Sequence, residues 1–259
     1  MTQPAPERVA NPFAAPGVGG VYAQGRPFHH PRSLEHILAM VGSGPVDRAL
    51  DIACGTGMST VALVAHAGTV VGVDVSPEML GSARREPSAH YLLGNAEFMP
   101  FTDHSFGAAT CCSGIHWFDQ ARFFAELRRV LHPDAWVGLY DHFFTGEMIG
   151  VPEFGAWTRE AHTRYPLPPR NPMVGDRRIV TPDGCELIGD EMFADDIELT
   201  REQLVDYQLT ISNFVAAVER GESRAGLRAW MLETLEPLFS GTETRTVRFV
   251  GSVTCLRVA

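Results

Sequence analysis

A doubly wound α/β fold built on a parallel sheet is what this sequence predicts, on three observations. Short apolar runs alternate with amphipathic stretches of helical period, the pattern of right-handed βαβ crossovers. One run, Ala49-Leu50-Asp51-Ile52, leads straight into Ala53-Cys54-Gly55-Thr56-Gly57 and a helix-forming stretch from Met58. A second run, Thr69–Val73, ends on Asp74. Glycines at such a turn let a ligand approach the backbone at the carboxyl edge of the sheet, where doubly wound folds bind.

Taken in order, residues 1–20 are rich in Pro, Ala and Gly and read as a mobile arm, with neither the basic start nor the apolar core of a signal peptide. Residues 21–259 read as one domain, whose segment Val21–His30 is a candidate lid. A helix capped by Ser33 carries the stripe Leu34, Ile37, Leu38 and Val41, and Gly42–Pro45 stops it. Strands are expected near Arg48–Ile52, Thr69–Val73, Tyr91–Leu93, Phe106–Cys112 and Trp136–Tyr140. Helices are expected over Met58–His66, from Ser76-Pro77-Glu78 to about Arg85, and after Asp119 with Phe123, Leu127, Val130 and Leu131 inward up to a break at His132-Pro133-Asp134. Residues 142–190 hold six prolines together with Phe143, Phe144, Met148, Phe154, Trp157 and Met173, and read as a helical cap insertion. Thr200–Gln203 fits a capping box before the stripe Leu204, Tyr207, Ile211, Phe214, Val215 and Val218. A helix over Arg224–Phe239 and a last strand over Thr244–Ala259, expected at the edge of the sheet, complete the chain.

Composition narrows the partners. A net charge of −10 argues against nucleic acid or an anionic membrane, both of which need a basic footprint. No apolar stretch approaches the ~20 residues that span a bilayer. Five cysteines without C-x-x-C spacing read as buried thiols of a reducing compartment, so the expected location is the cytoplasm. No His/Cys/Asp cluster has metal-ligand spacing, so no metal is expected. The third glycine of G-x-G-x-x-G is missing, as are the P-loop Lys-Ser/Thr ending and a G-x-S-x-G elbow. A strand-end acid with one Gly-x-Gly suits a ligand that has ribose and amino groups but no phosphate.

The stretch D-I-A-C-G-T-G (Asp51–Gly57) resembles motif I of the class I S-adenosylmethionine-dependent methyltransferases, with Ala53 where glycine is more usual. Val-Asp-Val-Ser around Asp74 resembles motif II, and Gly94–Phe101 resembles the family's D-A-E-x-L-P-F, with Asn95 in place of the first acid. His116-Trp117-Phe118-Asp119, together with Tyr22 and Arg26-Pro27, resembles the small-molecule branch that includes trans-aconitate methyltransferases. The resemblance covers Val21–Asp141 well and the remainder weakly. It implies a Rossmann-like seven-stranded sheet with one antiparallel edge strand, and S-adenosyl-L-methionine as cofactor with S-adenosyl-L-homocysteine as product. It also implies a cleft of Asp51, Ala53, Cys54, Gly55, Thr56 and Gly57 in the turn, with Asp74, Val75 and Met79 beyond the second strand. Asn95, Ala96 and Glu97 then face the adenine, Cys112, Ser113 and Trp117 the methionine part, and Tyr22 and Arg26 its carboxylate.

The implied activity is methylation of a small molecule on O, N or C, the acceptor being a carboxylate or an aromatic natural-product-like compound. A proton-bearing acceptor calls for a base. His116 after strand four and His142 after strand five are the candidates, with His29 and His30 behind them. The alternative is a protein of the same fold that binds the cofactor for a cyclisation or a regulatory role.

Overall fold

The computed structural model describes residues 17–167 and 181–259. The sheet has seven strands: β1 Val46–Ile52, β2 Ala67–Asp74, β3 Ala89–Leu93, β4 Phe106–Cys112, β5 Leu131–Met148, β6 Cys185–Thr200 and β7 Thr244–Val258. Their order is β3-β2-β1-β4-β5-β7-β6. The first five strands run parallel, and β7 is antiparallel to both neighbours. This is the doubly wound arrangement expected, with one correction. The C-terminal strand is not the edge: β7 inserts between β5 and β6, and β6 is outermost.

β1 is central because Ala49, Leu50, Asp51 and Ile52 are all buried. On one face α5 (Gln120–Val130) packs Phe123, Leu127 and Val130 against Leu50, Ile52 and Val137. On the other, α2 (His30–Val41) brings Leu34, Ile37 and Val41 against Trp136 and Tyr140. α3 (Met58–Leu63) leaves the glycine turn, and α4 (Pro77–Gly81) follows β2 but ends at Gly81, short of the expected Arg85, just as Leu131, expected on the inward stripe of α5, instead opens β5. Ser76 caps α4 through the Met79 N–H at 3.2 Å, and Asp119 caps α5 through the Arg122 N–H at 3.2 Å. α1 (Val18–Gly25) packs against α4; it covers the first half of the expected lid but starts in the expected arm, where Val18 and Gly19 are buried helix residues. Gly19 and Gly25 let it settle there, because a Cβ on Gly19 would meet the Glu78 carbonyl oxygen at 2.5 Å.

Ser33 is not the cap of α2. The helix begins at His30 with Pro31 in its first turn, and Ser33 is buried inside it. Proline presets the helical φ, so the helix starts earlier than the serine suggests.

Beyond Tyr140 the structure departs from the expected insertion. Cys112 pairs with Tyr140 at the end of β4, and β5 runs on through Met148 against β7. Cys185–Asp190, also expected within the cap, belongs to β6. Of the described residues of the expected cap, 149–167 and 181–184 stand outside the strands, including α6 (Glu153–Arg164). The arm residues 1–16 and the cap residues 168–180, with Met173, lie outside the described residues. α7 (Arg201–Gln208) has the expected capping box at Thr200, but the single stripe expected beyond it is split by residues 209–211 before α8 (Ser212–Glu219). With α9 (Arg224–Leu235), these helices bury Phe154, Leu204, Tyr207, Phe214 and Met231 against Val247 and Phe249, a second core beside the first. Among the described residues no helix is long and apolar enough to cross a membrane.

Candidate active site

The turn after β1 is held from behind. Asp51 is fully buried, and its carboxylate accepts hydrogen bonds from Ser59 and Thr60 at 2.6 Å each and from Thr110 at 2.9 Å. Burial pushes its pKa up to about 6, against the pull of those three hydroxyls. Asp51 therefore ties β1 to α3 and β4, as a support for the turn rather than a group on its open side. Ala53, Gly55 and Gly57 all take left-handed φ of 54°, 52° and 72°. Alanine costs strain there, and Gly114 makes room for it, since a Cβ on Gly114 would lie 2.6 Å from that of Ala53. Gly57 has the Tyr91 ring against it, which leaves no space for a side chain. Cys54 and Thr56 are buried beneath the turn, and Met79 forms its floor, its Cε 3.2 Å from where a Cβ on Gly55 would be.

Asp74 stands at the end of β2 on the open side. One carboxylate oxygen accepts the Gly55 N–H at 2.8 Å and the other the Ser76 N–H at 2.8 Å. The Val75 N–H also acts on this carboxylate, which with about four acceptor sites can still take a ligand hydroxyl. Burial raises its pKa, countered by those backbone N–H groups. Asn95 Oδ1 accepts the Glu97 N–H at 2.8 Å, and Glu97 reaches on to the Asp119 N–H at 3.0 Å. This loop is therefore a braced turn beside Asp74. Ala96 is buried, and Met99 lies in the core. Val75, Leu93, Phe98 and Trp117 remain exposed at 56%, 58%, 80% and 40%. Val75 follows Asp74 in the chain, and Leu93 pairs with it across the sheet.

Tyr22 and Arg26 come in from the N-terminal side. The Arg26 guanidinium lies 4.7 Å from the Tyr22 ring centre and 5.2 Å from that of Tyr207 on α7. It donates to the Thr210 carbonyl at 3.3 Å, while its buried Nε has no partner. A cation with a spare donor suits a carboxylate. Cys112 is half-buried, with the Ser113 hydroxyl 3.8 Å from its Sγ, and Ser113 has a left-handed φ of 51°. Burial pushes the Cys112 thiol far up, which leaves it protonated. His116 sits in a single 3₁₀ turn, its ring 5.1 Å from Trp117.

The second candidate base lies in different surroundings. His142 is buried on the extension of β5, and its Nε2 is 2.9 Å from Asp195 Oδ2 on β6. Its ring stacks on His29 at 3.9 Å and on Phe249 at 4.7 Å. His30 meets the Tyr140 hydroxyl at 2.9 Å, and burial pushes its pKa down to about 3. His29, His30 and Cys112 also bring donor atoms within 4.8 Å of one another, a grouping that sequence spacing does not reveal. The His29 and His30 rings lie 4.2 Å apart at 32°, and the Tyr140 hydroxyl is 2.9 Å from His30 Nδ1. Asp195 is the residue that sequence reasoning missed, because it lies on the strand taken for cap and loop.

The residues expected to act together thus fall into two groups. The glycine turn, Asp74, the Asn95 loop and the Cys112-Ser113 turn line the carboxyl ends of β1 to β4. Tyr22, Arg26, His29 and His142 close the side toward β5.

This strand order, with its single antiparallel β7, is the class I methyltransferase fold, and residues 50–139 match the family model described as methyltransferase domain. An uncharacterised methyltransferase of Mycobacterium tuberculosis (strain ATCC 25618 / H37Rv) is 39% identical over 121 residues, 46% of this chain and 48% of that protein. A demethylmenaquinone methyltransferase of Mycobacterium sp. (strain KMS) is 41% identical over 96 residues, 37% of this chain and 41% of that one. The chain thus spans about half the length, or less, of the curated relatives it matches. Among solved structures, a proposed type II methyltransferase of Anaeromyxobacter dehalogenans superposes with a TM-score of 0.66 at 22% identity. That match covers 89% of this chain and 94% of the other, and it speaks for the fold.

Proposed function

We propose that this protein is an S-adenosylmethionine-dependent methyltransferase acting on a small molecule. The observation that carries the reading is Asp74, which clamps the Gly55 N–H with one carboxylate oxygen and the Ser76 N–H with the other. That clamp fixes an acid beside an open left-handed turn, inside the stretch that matches the methyltransferase domain. In this reading Asp74 holds the ribose hydroxyls. The Asn95–Glu97 loop and the exposed apolar rim take the adenine, and Arg26 with Tyr22 takes the methionine carboxylate. The small residues Cys112 and Ser113 leave room for the chain between. The cofactor, when bound, supplies a methyl group already activated on sulfur. The protein's own work is then to position the acceptor, exclude water and accept a proton, and positioning alone can be worth about 7–11 kcal/mol.

α1, with Tyr22 and Arg26, is the lid, and α6 with the helices around it forms the cover on the β5 side. A relative named for demethylmenaquinone favours an aromatic, quinone-like acceptor over a plain carboxylate.

Incubation with S-adenosylmethionine and a panel of hydroquinones, phenols and carboxylic acids, followed by mass spectrometry, tests the reading. One methyl gained by an acceptor for each S-adenosylhomocysteine formed supports it. Tight cofactor binding with conversion of an acceptor but no methyl gain would instead indicate the cyclase or regulatory role.

A further inference from the structure

The extension of β5 beyond the end of β4 places His142 next to two strands that carry no part of the glycine-turn site. On the sheet, His142 pairs with Gly251 of β7, and Phe249, two residues away on β7, pairs with Asp195 of β6. Side chains two apart along a strand share a face, so His142, Phe249 and Asp195 stand on one face across three strands. Gly251 keeps the row open, with the Phe193 ring lying against the place a Cβ would take. From α2, Arg32 donates to Asp195 Oδ1 at 2.8 Å and to the Ala194 carbonyl at 3.0 Å. Asp195 is therefore held on one oxygen by Arg32 and on the other by His142 Nε2. His142 is 8% exposed and Asp195 6%. The imidazole is also clamped on both faces, nearly parallel to His29 at 4° and to Phe249 at 11°. A ring fixed in plane and position, with one nitrogen on a buried carboxylate, has its tautomer set: Nε2 carries the hydrogen and Nδ1 the lone pair.

We propose that His142 and Asp195 form a proton-accepting pair for an acceptor that bears an ionisable hydroxyl, such as a phenol or hydroquinone, with Asp195 as the positioning residue. The inference rests on the methyltransferase reading above. The acceptor's O–H bond breaks and its proton goes to His142 Nδ1. The oxygen's electron pair forms the bond to the methyl, and the pair of the broken S–C bond returns to sulfur. Asp195 Oδ2 holds the resulting imidazolium through Nε2–H. A carboxylate acceptor needs no such base, and a buried histidine–aspartate pair would then serve nothing in the reaction.

The charges around His142 agree with this role. Burial lowers its pKa, the Asp195 hydrogen bond and charge raise it, and Arg26 and Arg32 lower it again. His29, the ring stacked against it, is itself held neutral by burial. His142 is thus neutral at pH 7 and able to accept a proton. The two partners act with opposite sign, and that gives the test.

Histidine NMR titration of the full chain, with the His142 signal assigned by its loss in His142→Gln, should show Asp195→Asn moving the His142 pKa down and Arg32→Ala moving it up. Arg32 is about half exposed, so its removal leaves a folded protein for the second arm. With 1,4-dihydroxynaphthalene as probe, Asp195→Asn should lower kcat at least tenfold and move the acidic limb of the pH profile downward, with cofactor affinity within twofold of wild type. Asp195→Glu should restore part of kcat. A His142 pKa that ignores both substitutions, or methylation of benzoate in preference to the hydroquinone, would overturn the pair. Loss of all cofactor binding in the wild type would instead overturn the methyltransferase reading, while the titration still reports on the pair.

Discussion

At the β1–β2 edge the polar groups are satisfied mostly by neighbours in the chain. Asp51 is bonded to Ser59 and Thr60, eight and nine positions on, with one remote bond to Thr110, 59 on, and Asp74 to Ser76, two on, and to Gly55, nineteen back. At the β5–β6 edge the partners are remote. Asp195 meets His142 across 53 positions and Arg32 across 163, and His30 meets Tyr140 across 110. The first edge is a cradle of backbone N–H groups and hydroxyls, and the second a stack of rings around one buried carboxylate. Local bonding fixes a backbone shape that can be used for any ligand with the same common part. Remote bonding depends on how the whole sheet closes, and it is there that we propose the acceptor is met.

The comparison can be broken at either edge. The largest effect should come from Asp51→Ala, which leaves three buried hydroxyls without their acceptor. Each unsatisfied buried group costs about 1–3 kcal/mol, partly recovered by bonding elsewhere, so a loss of about 2–4 kcal/mol is expected in denaturant unfolding. An unchanged midpoint would show that Asp51 does not organise the turn.

Asp51→Asn sharpens the same point through pH. The folded pKa, about 6, lies above the ordinary value of 3.8, so the folded state holds the proton more tightly. That contribution to stability is fully present below pH 3.8 and is lost as pH rises through 6. Wild type minus Asp51→Asn should therefore fall by about 1–3 kcal/mol across that window. A flat difference would mean that burial does not govern this carboxyl.

At the junction of the two edges, Arg26→Ala should raise the S-adenosylhomocysteine dissociation constant about tenfold, equivalent to about 1.4 kcal/mol. Equal affinity by calorimetry would assign Arg26 to packing between Tyr22 and Tyr207. His116→Ala should have the smallest effect, a loss of turnover below about tenfold with cofactor affinity kept, if His142 is the base. A collapse of turnover with His116→Ala alone would exchange the roles of the two histidines.

The same contrast explains what could be read from the chain. The glycine turn, Asp74, the caps at Ser76 and Asp119 and the capping box at Thr200 are local signals, and each is where the residues indicate. β6 escaped notice because its residues Cys185–Thr200 are mostly exposed or half-buried, so no apolar run marks it, and its charged alternation resembles a loop. With β6 unseen, β7 was left as the expected edge and Asp195 had no strand to stand on. Ser33 offered a cap that Pro31 made unnecessary. His29, His30 and Cys112 have no motif spacing, and only the approach of α2 to the end of β4 brings them together.

The most direct measurement is calorimetric titration of the wild type and Asp74→Ala with S-adenosylmethionine and S-adenosylhomocysteine. The account predicts micromolar binding by the wild type and a loss of more than tenfold, or about 1.4 kcal/mol or more, in the variant. Binding of equal strength in both proteins, or none to either compound in the wild type, would contradict it.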